Sequence, residues 1–546
     1  MDCGIRRRDF LMKRVKEDFP IDENIVEKFI KENKENWDEV KHSGKYIFVN
    51  FSMVRMQCGW IVPKLLFAKG LEEGSGAEPI VFTWNENPLL TRFIESFKVK
   101  HIAYHTVMKK DFGCMWKSWW KTIGFMLFDG TGEGLKKMEY LGVNVGMPLY
   151  EDILRTSSLS TIRSARNKVC LKKIFHLLWM AGTFDKLCKK YPIAYGVADD
   201  IAYHEGMFIK IMHKYTKKLY ASNNYRERKI EVEDDVVERQ SQYLNKRYKE
   251  KIHLVTDEQA QWSLQHLEER FQGKNGRAID RGAFADKEVL GRADVGKILG
   301  LDSGKKNAVI MAHTFTDAVF NYCDTFCRDY YDWVEQTLKI AGENDKVNWI
   351  LKPHPTRGAY NESEDSIEDM FARHKKEHLF LLPDEISGES IKNFADVIIT
   401  IGGNAGAEFA CFGVPVVIIG KPYYAGFGYT KEPKNREEYE EVLKNIQEME
   451  PLSDEQVMTA RKVFYLSNAG DREKEDSSYA DEFAILSNGK YLEMIKKMPL
   501  EYFENNRGTE IYNDKILELY ADYFHNNIIK ETDFFMRGKK EARIKG

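Results

Sequence analysis

The run from Trp349 to Thr430 limits the possible folds more than any other part of the chain, because it alternates apolar segments with short Gly- or Pro-bounded turns. One segment ends in Leu351-Lys352-Pro353-His354-Pro355, a second in Ile401-Gly402-Gly403-Asn404-Ala405-Gly406, and a third covers Pro415 to Ile419. Unbroken runs of Val, Ile and Leu are what a strand covered on both faces requires, so they read as a buried parallel sheet. In such a sheet ligands bind beyond the carboxyl ends of the strands. The two loops are therefore where chemistry is expected.

The glycine loop opens into a short helix, Ala407 to Cys411, whose first amides and positive dipole end favour an anion. Gly402, Gly403, Asn404 and Ala405 are the candidates to surround it. Glu408 lies one turn in, where a carboxylate can accept from the two hydroxyls of a ribose. A glycine turn alone is a weak sign, shared by any doubly wound protein. His354 and Lys352, at the end of the preceding strand, make the set more specific, since together they can neutralise a leaving phosphate. Pro355 fixes the backbone beside His354, and Pro353 biases Lys352 toward an extended conformation.

From about Leu301 to Thr430 the chain resembles the donor-binding half of capsular polysaccharide synthesis proteins. These are a GT-B glycosyltransferase group that includes 3-deoxy-manno-octulosonic acid (Kdo) transferases with CMP-sugar donors. The resemblance rests on Ala308-Val309-Ile310-Met311-Ala312-His313 with Asp317, on Asn348 to Pro355, on Asp396 to Glu408, and on Gly420-Lys421-Pro422-Tyr423-Tyr424 with Gly428 and Thr430. The His-Pro pair is also similar to that of GT-B sialyltransferases and teichoic-acid glycerophosphate polymerases. The resemblance implies that His354 contacts the nucleotide phosphate, Glu408 the ribose, and the glycine loop the phosphate or sugar. Asn404 stands where relatives often carry Ser or Thr, and the acidic pair before Gly in sialyltransferases is here Phe128-Asp129-Gly130.

The remaining sequence fits an α/β protein of GT-B type: two Rossmann-like lobes whose parallel sheets face an interlobe cleft, with a helical insertion and carboxyl-terminal helices. Residues 1–40 read as a helical packing arm. Residues 41–275 read as an acceptor lobe with strands at Tyr46 to Phe51, Pro79 to Thr83, His101 to Tyr104, Thr122 to Phe128 and Ile193 to Tyr203, and a charged helical insertion at about 215–272. Residues 276–306 read as a linker about which the lobes close, 307–480 as the donor lobe, and 481–546 as helices returning to the first lobe. The loop after Ala312 places His313 and Thr314 toward the donor. On the acceptor side the candidates are Arg55, in the loop after the first strand, and Arg155, at the end of a predicted helix. Asp129, His204 and Glu205 are rival candidates for the acid or base, because each follows a predicted strand in a cluster of titratable groups.

Composition narrows the function further. A chain of 546 residues holds two or three domains, and 43% hydrophobic with 31% charged residues is a globular balance. The formal net charge of -3 argues against nucleic-acid binding by bulk charge. Eight scattered cysteines lack metal-site spacing, and no stretch is apolar for long enough to span a bilayer. The expectation is a cytoplasmic enzyme, with peripheral contact at the inner face of the membrane through the basic aromatic tail Phe534 to Lys540. Its expected partners are a nucleotide-sugar donor, with CMP-Kdo or a similar CMP-sugar favoured, and a glycan or glycolipid acceptor. No cofactor, metal or nucleic acid is expected. Other readings of the same fold are a nucleotide-sugar 2-epimerase, a glycerophosphate transferase and a non-catalytic nucleotide-binding assembly partner.

Overall fold

The computed structural model describes residues 27, 30, 31, 33, 34, 37 and 39–468, apart from 52–57, 85–87, 158, 199, 224–225, 234–235, 273–286, 322–324, 356 and 358–364. The first lobe holds strands β1 (Tyr46–Asn50), β2 (Glu78–Thr83), β3 (Lys100–Ala103), β4 (Ile193–Ala198), β5 (Leu219–Asn223) and β6 (Arg226–Lys229). They stand in the order β3-β2-β1-β4-β5-β6, parallel except for the β5-β6 hairpin. The second lobe holds β7 (Lys306–Met311), β8 (Val347–Lys352), β9 (Leu379–Leu381), β10 (Val397–Thr400), β11 (Val416–Ile418) and β12 (Thr430–Lys431). Their order is β9-β8-β7-β10-β11-β12, parallel throughout. Both sheets thus share one doubly wound order, which reverses between β1 and β4 and again between β7 and β10. Two Rossmann-like lobes of this kind make the GT-B arrangement.

Three expectations change. Thr122 to Phe128 is not a strand but the end of helix α1 (Phe112–Phe128), which Asp111 caps by accepting from the Cys114 N–H at 3.1 Å. Short apolar runs do not separate strand from helix by periodicity. Here the N-cap decides, together with the buried Cys114, Ser118 and Thr122 spaced one turn apart. The strand from Ile193 ends at Ala198, and the chain then enters a helix.

The third change concerns the charged segment after Tyr215. Its start forms the β5-β6 hairpin, while its helices pack on the second lobe. In order along the chain the remaining helices used below are α2 (Gly146–Thr156), α3 (Lys168–Lys190), α4 (Tyr203–His213), α5 (Gln240–Lys251), α6 (Asp257–Phe271), α7 (Arg292–Leu299), α8 (Tyr330–Ala341), α9 (Ala405–Ala410) and α10 (Asp454–Asn468). The Asn245 amide on α5 donates to the Tyr423 and Ala425 carbonyls, Ser263 on α6 donates to the Arg461 carbonyl of α10, and Phe271 stacks on Phe409. Their apolar sides, including Tyr248, Leu267 and Phe271, are buried with β10, β11 and α10 in the second core. Burial of those faces, not chain proximity, assigns the pair to the second lobe. The expected linker is likewise anchored from residue 287: the Glu288 N–H donates to the Glu385 carbonyl, and α7 ends at Gly300 with φ 74°.

At the amino end Asn33 donates to Ser96 and Trp37 packs on Phe97, both on the first lobe. Residues 481–546, with the basic aromatic tail, lie outside the described residues. The lobes meet along a polar seam. Tyr150 and Thr161 both donate to Asp329, Glu151 accepts from the Phe320 N–H at 2.9 Å, and Ser160 donates to the Asp365 carbonyl at 2.9 Å. Tyr203, just past β4, donates to Asp317, just past β7, at 2.8 Å. The carboxyl ends of the two sheets therefore face each other.

Candidate functional site

The second-lobe half of the site forms where the strand order reverses. His313 follows β7, His354 follows β8 on one side, and Gly402 follows β10 on the other. Only β7 separates β8 from β10, so the strands that lead to His354 and to the glycine loop run about 10 Å apart. The two imidazoles lie nearly parallel with centroids 5.6 Å apart, and His313 also packs on Tyr330 at 4.4 Å. Burial drives the His354 imidazole down to about 3, with His313 adding to the effect; burial also lowers His313, against the pull of Asp317. Both rings are neutral at pH 7 in the free protein. Each can gain a proton if an anion arrives. Thr314 is buried, and its carbonyl accepts from the Asp317 N–H within the loop.

Lys352 is only 5% exposed, and its ammonium meets no hydrogen-bond acceptor among the described residues. Asp384 is its nearest counter-charge, at 3.9 Å. That carboxylate is already held by both terminal nitrogens of Arg357, at 3.1 and 2.7 Å. Burial, reinforced by Lys287, lowers the Lys352 ammonium to about 8.

In the glycine loop the helix begins at Ala405, two residues earlier than expected, with Asn404 at its exposed N-cap. The Gly403 N–H is taken by Thr400 Oγ1 at 3.1 Å, and its carbonyl accepts from Tyr424 at 2.7 Å. A Cβ at Gly406 would run into the Tyr424 phenol, so a larger residue there requires that ring to move. Glu408 is 7% exposed and lies 3.4 Å from the Arg270 guanidinium on α6. Arg270, Arg357, Asp384 and Tyr424 were not among the residues singled out from the sequence. Tyr424 alone carried a signal there, as part of the Gly420 to Tyr424 motif.

In the first lobe the reversal lies between β1 and β4. Arg55, in the loop after β1, lies outside the described residues. Beyond β4, helix α4 opens with Tyr203 at φ 55°, a left-handed conformation uncommon for an aromatic residue. His204 Nδ1 lies 2.6 Å from Asp152 Oδ2 on α2. Burial would raise the Asp152 carboxyl, but the His204 hydrogen bond and charge overcome it and hold it below the usual range. An ionised Asp152 accepts from Nδ1–H and leaves Nε2 as the basic nitrogen of the ring. Glu205 is 1% exposed, its carboxylate 3.8 Å from His204 Nε2. Asp152 was not foreseen.

Arg155, at the last turn of α2, lies 3.8 Å from Asp317 and over the Tyr203 ring, so it sits on the seam between the lobes. Asp129 follows α1 as its exposed C-cap and accepts from the Thr131 N–H and hydroxyl. None of its hydrogen bonds among the described residues reaches either strand-end cluster.

Residues 293–464 match the family model described as capsule polysaccharide biosynthesis protein. Among curated proteins none matches the chain. Among solved structures the chain is similar to the beta Kdo 2,4 transferase KpsC of Thermosulfurimonas dismutans. Identity there is 13%, over 50% of this chain and 79% of that one, at a TM-score of 0.32. It is also similar to S. aureus MnaA solved with UDP, at 12% identity over 83% and 99% with a TM-score of 0.26. The wall teichoic acid polymerase TagF matches at 10% over 90% and 97%, with a TM-score of 0.23. Similarities of this size fix neither substrate nor activity.

Proposed function

With residues 293–464 matching the capsule polysaccharide biosynthesis family, we propose that the chain is a glycosyltransferase of cell-surface, capsular-type polysaccharide synthesis. It transfers a sugar from a nucleotide-activated donor, a CMP-linked acidic sugar such as CMP-Kdo ranking first, to a glycan or glycolipid acceptor. The observation that carries this reading is the pair of stacked imidazoles of His313 and His354 at the strand reversal of the second lobe, where the glycine loop follows the neighbouring strand β10. In this reading the nucleotide phosphate lies between His354 and the start of α9. Lys352, whose ammonium has no hydrogen-bond acceptor among the described residues and shares Asp384 with Arg357, supplies cationic stabilisation as the phosphate departs. Glu408, held in place by Arg270, takes the ribose hydroxyls. No metal is invoked, because imidazoles, ammonium and helix amides carry the developing charge.

Across the cleft, His204 acts as the acid or base, with Asp152 fixing its tautomer and orientation. Glu205, buried 3.8 Å from His204 Nε2, supports the ring rather than touching substrate. Arg155 steers an anionic acceptor. Asp129 is left to its turn. The test is a thermal-shift panel of CMP, UDP and CDP-glycerol on the full chain, repeated on His354→Ala and Glu408→Ala. The expected result is stabilisation by CMP that both substitutions remove. Absence of stabilisation by every nucleotide would overturn the donor assignment. Turnover of a UDP-sugar without any acceptor would favour the epimerase.

A further inference from the structure

Helix α1 presents an apolar face that is exposed among the described residues. Phe112, Trp116, Trp120 and Leu127 are 65%, 56%, 66% and 67% exposed, and Phe128 is 90% exposed. Among the described residues eleven large apolar side chains are exposed, and five of them lie on this one helix. At 100° per residue, positions 112, 116, 120, 123 and 127 fall on one stripe about 25 Å long. The opposite side of α1, with Cys114, Ser118 and Thr122, is the side buried in the lobe. The stripe is therefore not the helix's core contact.

Its charge surroundings are one-sided. From Phe112 to Phe128 the helix has no carboxylate, and Lys117 and Lys121, both exposed, lie beyond one edge of the stripe, Lys117 with its ammonium 5.8 Å from the Tyr140 ring centroid. Arg166 reaches the carbonyls of Met126 and Asp129 at its carboxyl end. Asp111 and Asp129 mark the two ends and are engaged, the first by Lys186 and the second by Thr131. Glu139 borders a groove of about 510 Å³ beside Trp120, with Lys121 and Lys137 on its walls. Tryptophan, phenylalanine and leucine on one face with lysines along one edge suit a helix lying in the headgroup region of a bilayer. A spanning role is not available to it, because no described helix is long and apolar enough to cross a membrane.

We propose that α1 is the surface by which this protein docks on an anionic lipid bilayer, Trp116 and Trp120 entering the headgroup boundary and Lys117 and Lys121 meeting lipid phosphate. The assignment stands on this helix and does not depend on the donor reading. Flotation of the full chain with vesicles of phosphatidylcholine and phosphatidylglycerol tests it, with pure phosphatidylcholine as the control. Binding is expected at low salt on the anionic vesicles, with quenching of tryptophan emission by brominated lipid. Trp116→Ser/Trp120→Ser is expected to lower the bound fraction about tenfold through lost apolar burial. Lys117→Gln/Lys121→Gln should lower it about 25-fold at low salt, roughly fivefold for each lysine. All four side chains are exposed, and unchanged melting of the variants verifies the fold. Three results would overturn the proposal: no vesicle binding, binding that follows Arg537, Lys539 and Lys540 instead, or a dimer that the tryptophan substitutions convert to monomer.

Discussion

Lys352 offers a test in which stability and ligand binding move in opposite directions. Its ammonium is buried and without a hydrogen-bond acceptor among the described residues, and Asp384, at 3.9 Å, is shared with Arg357. Burial lowers it from 10.5 to about 8, so at pH 7 it remains charged in the folded protein at a free-energy penalty. At about 1.36 kcal/mol per pH unit the gap corresponds to roughly 3 kcal/mol, and relaxation around the charge brings the measurable effect to about 1–3 kcal/mol. Lys352→Met keeps the side chain's length and removes the charge. It is expected to stabilise the ligand-free protein by that amount, about 4–8 °C in the melting of the second lobe for 2 kcal/mol. Because the folded value lies below the unfolded one, the penalty is complete below pH 8, shrinks as pH rises from there, and disappears above 10.5. The gain of the variant must follow the same course. In contrast, stabilisation by CMP, UDP or inorganic phosphate should be lost in the variant. Calorimetry at pH 7 and pH 10.5, with and without nucleotide, reads both effects. A variant that melts lower than wild type at pH 7 would refute the reasoning, since the ammonium would then have a partner in the free protein.

Other substitutions probe separate parts of the site. His354 sits near 3 in the free protein, so an arriving phosphate should draw in a proton, and affinity should strengthen up to about tenfold per pH unit on going from pH 8 to 6. Titration calorimetry in buffers of different ionisation enthalpy would count that proton, and His354→Gln should abolish it. In the same variant the acid loss of stability between pH 6.5 and 3 should diminish, because a buried neutral imidazole favours folding fully above 6.5 and progressively less as pH falls toward 3. Asp152→Asn should leave melting nearly unchanged but reduce kcat about 10²- to 10⁴-fold by releasing the His204 tautomer, with KM for donor unaffected. Gly406→Ala should lower the melting point through about 1–3 kcal/mol of overpacking against Tyr424, and pairing it with Tyr424→Leu should recover most of the loss.

Much of the second lobe was legible because its strands are buried on both faces and read as unbroken apolar runs. β7 and β11 fall within two residues of their expected limits, β8 and β10 lead into the expected loops, and His313, His354 and the glycine loop follow from the rule that loops at strand carboxyl ends gather at the reversal. What the sequence hid is long-range. The partner of His204 is 52 residues earlier on another helix, and Glu408 meets an arginine from a helix that looked like part of the other lobe. The charged helices after Gln240 gave no sign of which lobe they cover, since an amphipathic face names no partner. Residues 122–128 misled because a strand-length apolar run at the end of a helix looks the same as a strand until its N-cap, eleven residues upstream at Asp111, is taken into account.

The seam between the lobes decides how the two halves of the site can cooperate. Its bonds run from α2, Thr161 and Tyr203 to the loop between β7 and α8, and all four involve a buried or half-buried carboxylate, that of Asp329, Glu151 or Asp317; Ser160 adds a bond to the Asp365 carbonyl. Burial raises the Asp329 carboxyl even though Thr161, Tyr150 and the Asp332 N–H all donate to it. Such a group is stable only while its donors are in place, because an orphaned buried acceptor costs about 1–3 kcal/mol. Opening the lobes along this seam would orphan several such groups at once. The linker first expected to serve as a hinge is itself anchored to the second lobe from residue 287. The spacing between His204 and the His313-His354 pair is therefore set by α2, which carries Asp152 and Arg155 on the same eleven residues that carry Tyr150 and Glu151. One helix thus orients the candidate base, faces the seam, and fixes the distance between the two strand-end clusters.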